Sequence, residues 1–128
     1  MKSKFSPSWK SSKQRRKQRK YRHNAPLHIK HKFLSANLSK ELRKKYKKRS
    51  FPLRKDDLIK VMRGQFRGRT GKINKILLKR TRIFIENVER VKHNGSKSFI
   101  PVHPSNVQVL ELNLSDKERI KALERSKL

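Results

Sequence analysis

The sequence predicts a mainly β fold: a small barrel preceded by a long basic N-terminal arm. Three observations predict it. Of fourteen Val and Ile residues, twelve lie between Ile59 and Val109, and strands favour β-branched side chains. Three of the four glycines, Gly64, Gly68 and Gly71, fall in one short stretch. Charge divides the other way: residues 1–49 hold 19 Lys and Arg against the single acid Glu41, while residues 50–128 hold 19 against 8.

This gives four parts. Residues 1–24 are an extended basic arm, 25–53 a helical basic segment, 54–112 the barrel and 113–128 a short C-terminal helix. The arm is rich in Ser, Lys and Arg, and no periodic apolar face is visible in it. Fully extended, 24 residues reach roughly 80 Å at about 3.3 Å each, and the arm is expected to be disordered in the free protein.

Two short helices are expected in the second part. Pro26 suits a first helical turn, with Leu27, Phe33 and Leu34 on one face. In Leu38-Ser39-Lys40-Glu41-Leu42, Ser39 can cap a helix that ends in Lys47, Lys48 and Arg49, as the helix dipole prefers. Leu38, Leu42 and Tyr46 would form its apolar stripe, and Pro52 should stop it.

The barrel segments are Leu58–Arg63, Lys72–Leu78, Arg82–Asn87, Val88–Lys92, Lys97–Ile100 and Asn106–Leu110. Arg82-Ile83-Phe84-Ile85-Glu86 alternates as a half-buried strand does. Asn94-Gly95 predicts a hairpin with a type I′ turn. Ser115-Asp116-Lys117-Glu118 has capping-box spacing ahead of a helix over Asp116–Arg125.

Composition bounds the function. Only 32% of the chain is apolar, against roughly 45–50% in an average domain, so part of the chain needs a partner to order it. The net charge of +29 calls for a dense polyanion, and nucleic acid fits best. No long apolar run or signal-type segment is present. With no cysteine, disulfides, Cys-based zinc sites and Cys nucleophiles are excluded.

The stretch Lys60-Val61-Met62-Arg63-Gly64-Gln65-Phe66-Arg67-Gly68-Arg69-Thr70-Gly71-Lys72-Ile73 concentrates the chemistry. Glycine permits positive φ and close backbone approach. One reading is turn chemistry with a solvated arginine rim. The other is a loop whose backbone meets nucleic acid while Arg63, Arg67, Arg69 and Lys72 pair with phosphates. Phe66 would then stack on a base or plug the barrel end. A phosphate-binding P-loop is excluded, because Ile73 follows Gly71-Lys72 where Ser or Thr is required.

Val61, Gly64, Phe66, Gly68, Gly71, Lys72 and Ile73, with the lead-in Arg54-Lys55-Asp56-Asp57, resemble the KOW motif of nucleic-acid-binding SH3-like barrels. The flanks narrow the resemblance. Asn24-Ala25-Pro26, Leu38–Arg43, Arg49-Ser50-Phe51-Pro52, His103–Val107 and Leu114–Arg119 are similar to the large-subunit ribosomal KOW proteins. These are eukaryotic ribosomal protein L twenty-six and its archaeal relatives, of the universal L twenty-four family. The resemblance covers about residues 22–127. It implies an SH3-like (KOW) barrel that binds large-subunit rRNA, acts early in subunit assembly and lies near the peptide exit side. The ribosome would be cytoplasmic, with nucleolar assembly in a eukaryote.

The expected rRNA contacts in the arm are Trp9, Arg15, Arg16, Lys17, Arg19, Lys20, Tyr21, Arg22 and His23. Trp9 and Tyr21 are taken as exposed residues that stack on unpaired bases. In the helical segment the contacts are His28, Lys30, His31, Lys32, Lys40, Arg43, Lys44 and Arg49. In the barrel they are Arg54, Arg63, Gly64, Phe66, Arg67, Gly68, Arg69, Gly71, Lys72 and His103. The spacing of His23, His28 and His31 matches no familiar zinc pattern, so no metal or cofactor is expected. No catalytic set stands out; Asp56 and Asp57 are expected to pair locally with Lys or Arg. Neighbouring ribosomal proteins are expected partners, with no membrane, small-molecule substrate or homo-oligomer. The alternatives are a KOW-type transcription or RNA-processing factor and a histone-like DNA-binding protein.

Overall fold

The computed structural model describes residues 4–125. The ends of the expected arm and C-terminal segment, 1–3 and 126–128, lie outside the described residues. In chain order, a 3₁₀ turn Pro7–Ser11 precedes α1 (Arg15–Asn24), α2 (Leu27–Phe33), β1 (Ser35–Leu38), α3 (Lys40–Tyr46) and β2 (Ser50–Pro52). Then follow β3 (Leu58–Val61), β4 (Thr70–Leu77), β5 (Arg82–Ile85), β6 (Glu89–Val91) and β7 (Lys97–Phe99). A second 3₁₀ turn, Pro104–Asn106, leads into β8 (Val107–Glu111), and α4 (Lys117–Glu124) follows. The fold is therefore mixed α and β rather than mainly β.

Alternation builds the sheet. β3 buries Ile59 and Val61, β5 buries Ile83 and Ile85, and β8 buries Val107 and Val109, as a period of two requires. The strand order is β2-β1-β8-β3-β4-β5. All neighbours are antiparallel except β1 and β8, which run parallel. Inward side chains from both sheet edges, Ala36 and Phe51 at one and Ile83 and Ile85 at the other, belong to a single core. The sheet thus packs on one interior, which Leu123 of α4 also enters. β6 and β7 form a separate antiparallel pair.

Gly71 marks a close approach between two stretches of backbone. It lies within β4, and a Cβ there would stand 2.4 Å from the Glu86 carbonyl oxygen. The backbone beyond β5 crosses β4 where a side chain would be.

Several expectations are corrected. The arm is not extended. The Gln18 amide donates to the carbonyls of Trp9 (3.1 Å), Lys10 (3.1 Å) and Ser12 (2.6 Å), fastening the 3₁₀ turn to α1. Tyr21 is buried, with its ring 5.1 Å from Phe5 and 5.9 Å from Phe33. Its apolar partners come from outside α1, so no periodicity within the helix could reveal them. Leu38 lies in β1 and is fully buried, not on the helical stripe. Ser39 does cap α3, its Oγ accepting the Leu42 N–H. That helix ends at Lys47 in the left-handed region, φ 51°, and Pro52 belongs to β2.

The Asn94-Gly95 hairpin forms, but its turn is different. Gly95 has φ 82°, and Asn94 is not among the positive-φ residues. The Gly95 N–H donates to the Lys92 carbonyl (3.0 Å) and the Lys92 N–H to the Ser96 carbonyl (2.8 Å). This is the three-residue loop with a left-handed glycine rather than a two-residue type I′ turn. At α4 the cap is Asp116, which accepts the Glu118 N–H at 2.9 Å.

Asp57 does not pair locally. It is fully buried, and both its oxygens accept from Arg119, 62 positions away, at 2.7 Å each. The carboxylate also accepts the backbone N–H of Arg54 (2.8 Å) and of Asn113 (2.9 Å). Arg119 in turn donates to the carbonyls of Asn113 (2.7 Å) and Pro52 (3.1 Å), with its guanidinium 5.5 Å from the Phe51 ring centre.

Removing one partner of such a pair strands a buried charge. Arg119→Met should lower unfolding stability by about 3–5 kcal/mol in urea titration. Replacing Asp57 and Arg119 together with apolar residues should cost less than Arg119→Met alone. Gly71→Ala should cost about 1–3 kcal/mol, as overpacking does.

Candidate nucleic-acid interface

The glycine stretch joins β3 to β4. The Val61 N–H donates to the Arg69 carbonyl and the Gly68 N–H to the Val61 carbonyl, both at 2.8 Å. Gly64 and Gly68 take φ of 94° and 88°, with open space where a Cβ would stand. These two serve conformation, and Gly71 serves close approach.

Arg63, Arg67 and Lys72 project from this loop, exposed. Arg69 is more constrained: it donates to the Asn87 carbonyl at 2.9 Å and lies 4.9 Å from the Phe66 ring centre. Phe66 packs against the core, half-buried. Of its two expected roles, the plug is the one the packing supports.

In the N-terminal region Arg15, Arg16, Lys17, Arg19, Lys20, Arg22 and His23 are exposed on α1. Lys20 Nζ lies 5.1 Å from the half-buried Trp9 ring. Tyr21 points into the protein and presents no stacking face. His28, His31, Lys32, Lys40, Lys44 and Arg49 are exposed. Lys30 donates to the His23 carbonyl (3.2 Å), and Arg43 Nε to the Leu38 carbonyl (2.9 Å). Arg54 pairs with Asp116. That hydrogen bond, then the one from the Glu118 N–H, holds the Asp116 carboxyl below its ordinary range.

Among the described residues, ion pairs engage Arg54, Lys97, Arg119 and Lys121. None involves a cation of α1, α2 or the glycine loop. No group of three or more metal-ligating side chains comes together among the described residues.

Sequence reasoning missed one basic cluster. Lys79 and Arg80, in the turn from β4 to β5, and Arg82, which opens β5, line a cavity of about 460 Å³ together with Arg22, Lys30 and Phe33. His103 closes it. Three cations in the four residues Lys79-Arg80-Thr81-Arg82, where β4 turns into β5, were the available signal, and the glycine-rich loop drew attention from it. His103 also caps the 3₁₀ turn, its Nδ1 accepting the Ser105 N–H at 3.2 Å. Burial, then the charges of Arg82 and Arg22, lower its pKa below the ordinary 6.5.

Compared with known protein families, residues 12–126 match the family of ribosomal proteins known as L26 in eukaryotes and as an L24 form in archaea. The chain belongs to this family. It is a ribosomal protein of the large subunit, an RNA-binding constituent of the translation machinery with rRNA and other ribosomal proteins as partners. The match runs through all four α-helices and all eight strands. Trp9 lies outside it. No helix among the described residues is long and apolar enough to cross a membrane.

The lowered pKa of His103 means that folding favours its neutral form. Its contribution to stability is complete above about pH 6.5 and is lost as pH falls through the folded value. Urea midpoints should therefore drop between pH 7 and pH 5, and His103→Asn, which keeps a capping acceptor, should show a shallower drop.

Proposed function

We propose that this ribosomal protein binds large-subunit rRNA through two surfaces, the basic face of α1 and α2 and the glycine-arginine loop. The four-part division at residues 24, 53 and 112 serves this role. The basic N-terminal parts reach across RNA, and the sheet, read as an SH3-like KOW barrel, gives the loop a rigid base. The contacts are Arg15, Arg16, Lys17, Arg19, Lys20, Arg22 and His23 on α1, then His28, Lys30, His31 and Lys32. Lys40, Lys44 and Arg49 extend this side, and Arg63, Arg67, Arg69 and Lys72 form the loop side.

The observation that carries the reading is the absence of any carboxylate partner for these cations among the described residues. Binding works by neutralising phosphates and releasing their counterions. Positioning follows, because a phosphate-bound loop on a rigid sheet fixes the RNA segments it touches. The protein acts as a single copy that supports subunit assembly near the peptide exit side, in the nucleolus of a eukaryote. The match along residues 12–126 leaves the transcription-factor reading without support.

Binding to single-stranded rRNA fragments should weaken with salt at a log–log slope of about −7 for about ten phosphate contacts. Replacing Arg63, Arg67 and Arg69 with Ala should reduce the slope by about 2. A slope unchanged by the triple replacement, in filter-binding assays, would remove the loop from the interface. In a high-salt sucrose gradient the protein should remain with the large subunit.

A further inference from the structure

The cavity between the N-terminal helices and the β4–β5 turn differs from the open basic faces. It is concave, and cations meet across it from three segments that are remote in sequence. Arg22 comes from α1, Lys30 from α2, and Lys79, Arg80 and Arg82 from the turn and the start of β5. No carboxylate lines it. Its volume of about 460 Å³ falls in the range of small-ligand sites, roughly 300–1,000 Å³. One wall is aromatic: Phe33, half-buried, is held edge-on by Tyr21 at 5.9 Å.

The turn carries a second signal. Thr81 has φ 53°, a conformation that β-branched residues rarely adopt. Such strain persists where surrounding structure holds it, and it gathers at ligand clamps. Here it fixes a tight turn, closed by the Thr81 N–H to the Leu78 carbonyl (3.2 Å), with Lys79 and Arg80 at its tip. Arg82 is braced on the same turn by donation to the Thr81 carbonyl at 3.1 Å. The turn backbone that carries these cations is therefore fixed, and Arg82 is held to it directly.

We propose that this cavity holds one unpaired RNA nucleotide, its backbone phosphates between Arg22 and the Lys79–Arg82 turn and its base against Phe33. It would mark a point where the strand leaves its stack. Stacked duplex RNA offers phosphates but no free base face, so a concave site with an aromatic wall selects a single strand. The inference rests on the RNA-binding reading above, and it adds residues outside the two surfaces proposed there.

His103, which lines the cavity, is a built-in reporter: burial is the larger cause of its lowered pKa, and an anion seated beside Arg22 and Arg82 offsets the charges that add to it. The test uses the full chain, NMR titration of His103, and a six-nucleotide single-stranded RNA beside a duplex of equal length. The single strand should raise the His103 midpoint by about half a pH unit or more, and the duplex should leave it in place. Arg80→Ala should abolish the shift and weaken single-strand binding about fivefold, whereas Lys55→Ala, an exposed control, should change neither. If the single strand binds with the His103 midpoint unmoved and Arg80→Ala no weaker than Lys55→Ala, the cavity assignment falls while the RNA-binding reading stands. An equal response to inorganic phosphate would overturn the nucleotide assignment and leave an anion trap. No binding of either RNA would overturn both readings, and the affinities alone would show it.

Discussion

The fold depends on one buried ion pair. Asp57 and Arg119 meet in bidentate geometry at 2.7 Å, inside a protein that otherwise has charge of one sign to spare. The carboxylate gathers the backbone before β3 and after β8, while the guanidinium reaches the end of β2 and the ring of Phe51. Four segments are therefore registered by two side chains. A bare carboxylate at this position would face a desolvation cost of several kcal/mol. Nearly every hydrogen-bonding position of the pair is filled, which offsets that cost. Arg119 Nε alone has no partner.

That interior lock permits an exterior of opposite design. Inside, the Asp57 carboxylate is matched to its cation. Outside, the cations of α1, α2, the glycine loop and the β4–β5 turn are left unmatched. The core keeps its shape by apolar burial from Leu34 to Leu123 and by the lock, so the surface is free to hold charges that repel one another.

How much of this was legible in the sequence depended on where each residue's partners lie. β3, β4, β5 and β8 were readable from alternation, because each strand's own side chains carry the pattern. The hairpin was readable from Asn94-Gly95, though not its turn type, which only the φ of Asn94 decides. β1 was not readable: Ser35-Ala36-Asn37-Leu38 has no β-branched residue, and the backbones of β2 and β8 hold it. α1 was not readable because Tyr21 finds Phe5 and Phe33 outside the helix. Arg119 looked like one more basic residue, since its partner is 62 positions away. The glycine loop was found by composition, whereas the Lys79–Arg82 cluster becomes a site only when α1 and α2 fold across from it.

α1 is a helix whose own charges work against it. Its first turn is Arg15, Arg16 and Lys17, with no acid and no side-chain cap, so positive charge sits at the positive end of the helix dipole. Arg15 and Arg19, and Arg16 and Lys20, are like-charged neighbours four apart, each pair opposing the helix by about 0.2–0.5 kcal/mol. What holds the helix lies outside it: the 3₁₀-turn carbonyls that the Gln18 amide reaches, and the Phe5 and Phe33 rings against Tyr21. A polyanion laid along α1 would add attraction that offsets each of these repulsive terms. By linkage, an anion that preferred the helical form would stabilise α1 by as much as the helix favoured the anion.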